Sequence, residues 1–167
     1  KNNKMGGRAL LQYNIETKRY TTDEYLKLYL IVKNKLSKYF DNVYSPRGYA
    51  DKNSHGDLDV IVSNKKYDFN ILKMLKTEFE FDACYHNGNV YSINYGILKK
   101  DFQVDIIFTK NKYFKTTCDY YDASDLGCLM GRIAIKLGVK YGHFGLKYQV
   151  MSEKRDKVLD NIMLSSD

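Results

Sequence analysis

Two short β-branched runs constrain this chain more than any other feature. Leu58-Asp59-Val60-Ile61-Val62 and Val104-Asp105-Ile106-Ile107-Phe108 both read as strands, and both carry an aspartate among apolar neighbours. Residues i and i+2 of a strand share a face, so Asp57 and Asp59 project together while Leu58 and Val60 turn to the core. Two carboxylates on one face repel each other and resist joint ionisation. A divalent cation removes that penalty, and hard oxygen donors suit Mg²⁺. Asp105, set in apolar surroundings, needs a partner or a metal for the same reason. An isolated D-x-D more often marks a strand end facing solvent. Here a glycine-bearing polar loop, Arg47 to Gly56, precedes it and a third aspartate follows on a later strand. If the two strands lie side by side, three carboxylates converge. That arrangement holds two metals roughly 3.5–4 Å apart for in-line phosphoryl or nucleotidyl transfer.

The rest of the chain alternates helix and strand signals. Residues 1–20 are polar and marked by Gly6-Gly7, and read as an extended arm. Thr21 followed by Glu24 matches a capping box, and the apolar period from Tyr25 predicts a helix to about Phe40. A short strand is expected over Asn42–Ser45, then a helix over Asp68–Phe79 with Asp68 as its N-cap. Phe81–Tyr85 and Asn89–Leu98 read as a hairpin about His86-Asn87-Gly88. A helix over Ala123–Leu137 opens at Ser124-Asp125 and closes at Gly138. Gly145–Val150 reads as a strand, and Val158–Leu164 fits either a strand or a short helix. His55 reads as a solvated loop residue, with a phosphate contact as the second reading. Cys84 and His86 share a strand end, but no second pair completes a zinc site.

Composition narrows the class. At 167 residues, 44% hydrophobic and 28% charged, the chain can bury a core without disulfides. The net charge of +7 is spread along the chain; it permits a polyanionic partner such as nucleic acid, and solvated lysines account for it equally well. No window approaches the roughly 18 apolar residues needed to span a bilayer, so no membrane partner is expected. Three cysteines without C-x-x-C spacing suggest an intracellular, reducing compartment. The chain begins on Lys1, so a processed protein or a piece of a longer one is expected.

The glycine loop, the D-x-D strand and the later aspartate resemble the nucleotidyltransferase superfamily typified by DNA polymerase β. That family has a glycine-serine turn, D-x-D on a strand and a third aspartate on a later strand. Asp57, Asp59 and Asp105 match the aspartates, and Arg47-Gly48 stands where the family has Gly-Ser. The family's turn binds the triphosphate of the incoming nucleotide, which implies backbone N–H groups from Gly48 and charge from Arg47. Tyr120-Tyr121-Asp122-Ala123-Ser124 resembles the Tyr-Phe-Thr-Gly-Ser that opens the thumb of family X polymerases. The resemblance puts Tyr120 and Tyr121 against the sugar and Ser124 with the nucleotide. Arg132 falls where that thumb has an arginine contacting the template. Gly138 to Leu146 is similar to the glycine, short loop and Gly-Leu strand that follow. Two positions depart: Asp122-Ala123 replaces Thr-Gly, adding negative charge, and Cys128 replaces an asparagine that reads the base pair's minor-groove edge.

The resemblance implies an α+β fold. A nucleotidyltransferase palm, with a mixed sheet flanked by helices, would occupy 21–110 after the arm 1–20. A small thumb-like subdomain would occupy 111–167, with Ser165-Ser166-Asp167 capping a helix lost by C-terminal truncation. It implies a nucleoside triphosphate, a DNA primer-template or gapped duplex, and two Mg²⁺ ions, with Mn²⁺ as a substitute. Lys110, Lys112 and Lys115 are placed to meet a DNA backbone or simply to be solvated. Together with the composition, it implies a viral or phage setting, with cytoplasm, nucleus or virion as the location. Two other functions stay open. One is template-independent transfer to RNA, protein or a small molecule; the other is a nucleic-acid-binding or virion-structural module with a degenerate site.

Overall fold

In the computed structural model, which describes residues 7–48, 51–122 and 125–166, the first long element starts where two side chains satisfy each other. The Thr21 hydroxyl accepts from the Glu24 amide, and the Glu24 carboxylate accepts from the Thr21 amide at 2.8 Å. This box opens helix α1, Thr22–Leu36, just after the two-residue strand β1, Tyr20–Thr21. The helix stops four residues short of Phe40, because the chain turns at Ser37–Tyr39 and the Tyr39 amide closes on the Leu36 carbonyl at 2.9 Å. Phe40 is in phase with the helix, yet it is buried as the first residue of strand β2, Phe40–Tyr44.

The chain divides into two compact units, Lys1–Ser45 with Ala50–Thr109, and Pro46–Tyr49 with Lys110–Asp167. In the first, β1 pairs with the short strand β3, Ser54–His55. Next along the chain come β4 (Asp57–Lys65), helix α2 (Ile71–Glu78), β5 (Cys84–Asn87), β6 (Val90–Asn94) and β7 (Gln103–Phe108). Five strands form one mixed sheet in the order β2-β4-β7-β6-β5. Only β4 and β7 run parallel; every other neighbouring pair is antiparallel. β5 and β6 form a tight hairpin whose loop is Gly88-Asn89, one residue past the expected turn, with Gly88 at φ +61°. Helix α2 starts at Asn70, whose side chain accepts from the Lys73 amide at 2.9 Å, and not at Asp68.

Period-two alternation sends Leu58, Val60, Val62, Val104, Ile106 and Ile93 to one face of this sheet. There they pack with Leu28, Val32 and Leu36 of α1 and with Met74 and Leu75 of α2. Each such side chain contributes about 1.5–3 kcal/mol by leaving water. Residues 7–19, expected as an extended arm, belong to this first unit. They make a 3₁₀ turn at Leu11–Tyr13, and Leu10 is fully buried.

The second unit holds helices α3 (Phe114–Tyr121) and α4 (Leu126–Lys136), then strands β8 (Lys140–Gly142), β9 (Gly145–Met151) and β10 (Val158–Ser165) in an antiparallel sheet. A Cβ on Gly127 would lie 2.1 Å from the Tyr120 carbonyl oxygen, so the close approach of α4 to α3 requires glycine there. Gly138, at φ +78°, follows the end of α4. Val158–Ser165 is strand throughout, with Ser165 its last residue; Asp167, the end of the expected cap, lies outside the described residues. Helix α3 has no counterpart in the expectations. Among the described residues no helix is long and apolar enough to cross a membrane.

Candidate active site

The reverse of the five-stranded sheet is polar at one end, while Ile61 and Ile107 are buried further along it. Cross-strand partners share a face, and the parallel register sets Asp57 beside Gln103 and Asp59 beside Asp105. On the other flank of β7, Asp105 pairs with Ser92. The aspartates predicted on two separate strands therefore stand on one face of two neighbouring strands.

Their electrostatics show the cost. Burial, then the negative charges of Asp105 and Asp57, hold the Asp59 carboxyl well above the usual carboxylate range, while Lys52 offsets part of the effect. Asp105 is pushed up to about 6, first by burial. A hydrogen bond from Ser92 opposes this, the charge of Asp57 adds to it, and hydrogen bonding to Gln103 opposes it again. The Gln103 Nε2 donates to both Asp105 oxygens, at 3.0 and 2.9 Å. The Gly7 amide donates to Asp57 Oδ2 at 3.1 Å.

A ring of aromatic and hydroxyl groups stands at the same end of β4. Burial raises the Tyr25 phenol, its hydrogen bond to Ser45 opposes this, and the charges of Asp59 and Asp57 raise it further. The Tyr25 and Ser45 oxygens are 2.9 Å apart. His55 is buried, stacked on Tyr25 with ring centroids 4.1 Å apart, and its Nε2 lies 3.3 Å from the Thr22 hydroxyl. It is therefore not the solvated loop residue expected. Burial, followed by the charge of Lys52, lowers its pKa.

The donor set suits a hard divalent cation. It consists of carboxylate oxygens whose repulsion a cation relieves, and the groups bonded to them are neutral amides and a hydroxyl. Among the described residues no group of three or more His, Cys, Asp or Glu side chains forms a ready metal cage.

The other predicted site residues belong to the second unit. Arg47 is exposed and bound to Asp122: its amide donates to Oδ1 at 2.9 Å, and its Nε and Nη2 donate to Oδ2 at 3.0 and 2.8 Å. The acidic departure at 122 is thus matched by the arginine expected at the triphosphate. Gly48 is exposed in the same loop. The rings of Tyr120 and Tyr121 meet edge to face at 5.4 Å, and burial, followed by the neighbouring Cys128, raises the Tyr120 phenol. Arg132 is exposed on α4. Lys110 is exposed, the Lys112 ammonium sits 4.7 Å from the Tyr113 ring centre, and Lys115 pairs with Asp119 at 2.7 Å. Ser124 lies outside the described residues.

Sequence reasoning passed over Gln103, Ser92, Lys52, Tyr25 and the Gly7 amide. Gln103 carried a usable signal, since it stands two residues before Asp105 in the same strand. Ser92 and Gly7 carried none, because only the strand pairing and the path of residues 7–19 bring them to the carboxylates. The sequence matches no protein-family model and no curated protein.

Proposed function

We propose that this chain is a metal-dependent nucleotidyltransferase that joins a nucleotide from a nucleoside triphosphate to a nucleic-acid 3′-hydroxyl and releases pyrophosphate. The observation that carries this reading is the register of Asp59 against Asp105, with Asp57 two residues before on the same strand. Clustering carboxylates costs stability unless a cation is to be held there. Asp57 and Asp59 would hold two Mg²⁺ ions, or Mn²⁺, and Asp105 would hold one of them. When bound, the ions supply charge neutralisation for the triphosphate and acidify the attacking hydroxyl. Asp105 would also help take the proton from the attacking hydroxyl.

In this reading the first unit is the palm and the second the thumb, as the resemblance to family X polymerases implies. Tyr120 and Tyr121 shape the sugar pocket, with Ser124 and Arg132 on the nucleotide or template. Lys110, Lys112 and Lys115 follow the nucleic-acid backbone, with Lys115 exchanging Asp119 for phosphate. Gly48 offers backbone N–H groups to the triphosphate, and Arg47 must share its charge with Asp122. That ion pair is the one observation favouring a second reading, a nucleic-acid-binding module whose nucleotide site is degenerate. The setting that fits best is a reducing compartment of an infected cell, or a virion.

The test is extension of a labelled primer in a gapped duplex, with single dNTPs and Mg²⁺ or Mn²⁺. Templated addition is expected, and Asp105→Ala should lower its rate by about a thousandfold. Addition that ignores the template would point to template-independent transfer. DNA binding with no addition from any dNTP would favour the degenerate module.

A further inference from the structure

Gly7 and Ala9 reach the acidic cluster. Gly7 stands at φ +73°, and a Cβ there would lie 2.5 Å from the Gly56 carbonyl oxygen, so only glycine reaches this position without displacing its neighbour. Its amide donates to Asp57, and its carbonyl accepts from the Thr17 hydroxyl at 2.9 Å. Two residues on, the Ala9 amide donates to Gln103 Oε1 at 2.9 Å. Gln103 is almost fully buried. A glutamine side chain has one acceptor end and one donor end. With its oxygen claimed by Ala9, its nitrogen must face Asp105, where it spans both carboxylate oxygens. Leu10, fully buried, pins the segment, and the Lys18 amide bonded to the Asp101 carbonyl at 2.7 Å holds its far end.

We infer that Gly7–Leu10 is a built part of the acid site, holding Asp57 directly and Asp105 through Gln103, which makes Gln103 a positioning residue for the cation. The inference rests on the metal-dependent reading above. Gln103 fixes the plane of the Asp105 carboxylate and leaves its remaining lone pairs for an ion. The Gly7 amide does the same for one oxygen of Asp57. Groups that orient metal ligands in this way are worth about 10–100-fold in metal affinity.

The test uses the full chain and Mn²⁺ alone, with free Mn²⁺ followed by electron paramagnetic resonance and folding by circular dichroism. Wild type should bind the ion, and Asp105→Asn should bind it far more weakly. Gln103→Leu should weaken binding about tenfold while the chain stays folded. Ala9→Pro, which removes the amide donor, should weaken it similarly, and Ala9→Gly, which keeps the donor, should match wild type. Gly7→Ala provides an independent arm if Gln103→Leu does not fold. Wild-type affinity in folded Gln103→Leu, or in both Ala9→Pro and Gly7→Ala, overturns the positioning role and leaves the nucleotidyltransferase reading standing. Absence of Mn²⁺ binding by the wild type overturns both.

Discussion

The two faces of the five-stranded sheet are made from alternate residues of the same strands, and they do opposite things. Leu58, Val60, Val104 and Ile106 are fully buried under two helices. Asp57, Asp59, Gln103, Asp105, Ser92 and Asn94 line the reverse. Asn94 shows what a structural polar group looks like there. Its oxygen accepts from the Asp82 and Ala83 amides, and its nitrogen donates to Asp82 and to the Lys100 carbonyl. Asp57 and Asp105 have partners too, but the three aspartates keep their mutual repulsion. The reverse also buries Ile61 and Ile107 further along the same strands, so the destabilising cluster is confined to one end of that face.

Three substitutions probe the contrast, taken from the largest effect to the smallest. Leu58→Ala, on the helix face, should cost about 3 kcal/mol in urea unfolding, since it leaves a cavity in the core. Asp105→Asn, on the reverse, should change stability in the opposite sense. Its folded pKa of about 6 lies above the ordinary 3.8, so the folded state holds a proton the unfolded state releases. The resulting cost is absent below the lower value, grows between the two and is complete above the higher. The metal-free variant should therefore be more stable than wild type by about 1–2 kcal/mol near neutral pH, and the gain should vanish by about pH 4. Equal effects at both pH values would show that the charge is not what costs stability. Ser92→Ala should cost about 1 kcal/mol near neutral pH, because it removes a donor from the ionised Asp105. A loss as large as that of Leu58→Ala would blur the division between the faces.

The alternation that creates these faces was legible in the sequence, because it depends only on period two around Asp57, Asp59 and Asp105. That β7 lies beside β4 was not, since periodicity gives a residue's face and never its neighbour. Local signals located α1 through Thr21 and Glu24, but carried it on to Phe40 because an apolar residue in phase looks the same in a strand. Asn70 replaced Asp68 as a cap because both residue types serve and only the backbone chooses. Helix α3 was hidden by Thr116 and Thr117, β-branched residues with weak helix preference that are buried in it. His55 looked solvated because its neighbours in sequence are polar, while the ring that covers it comes from α1. The donors on Asp57 and Gln103 are backbone amides, which every residue but proline carries, so no residue type announced them.

The parallel register of Asp59 with Asp105 also bears on how this chain reaches its folded state. These strands cannot join through a tight turn; α2 and the β5–β6 hairpin must be accommodated in the crossover between them. Contacts so distant in sequence form late and slowly, because the entropy of closing the loop is lost before the pairing offsets it. Here the pairing also drives like charges together as the sheet closes. The pairing of β4 with β7 is thus a step that electrostatics opposes while burial of the apolar face favours it.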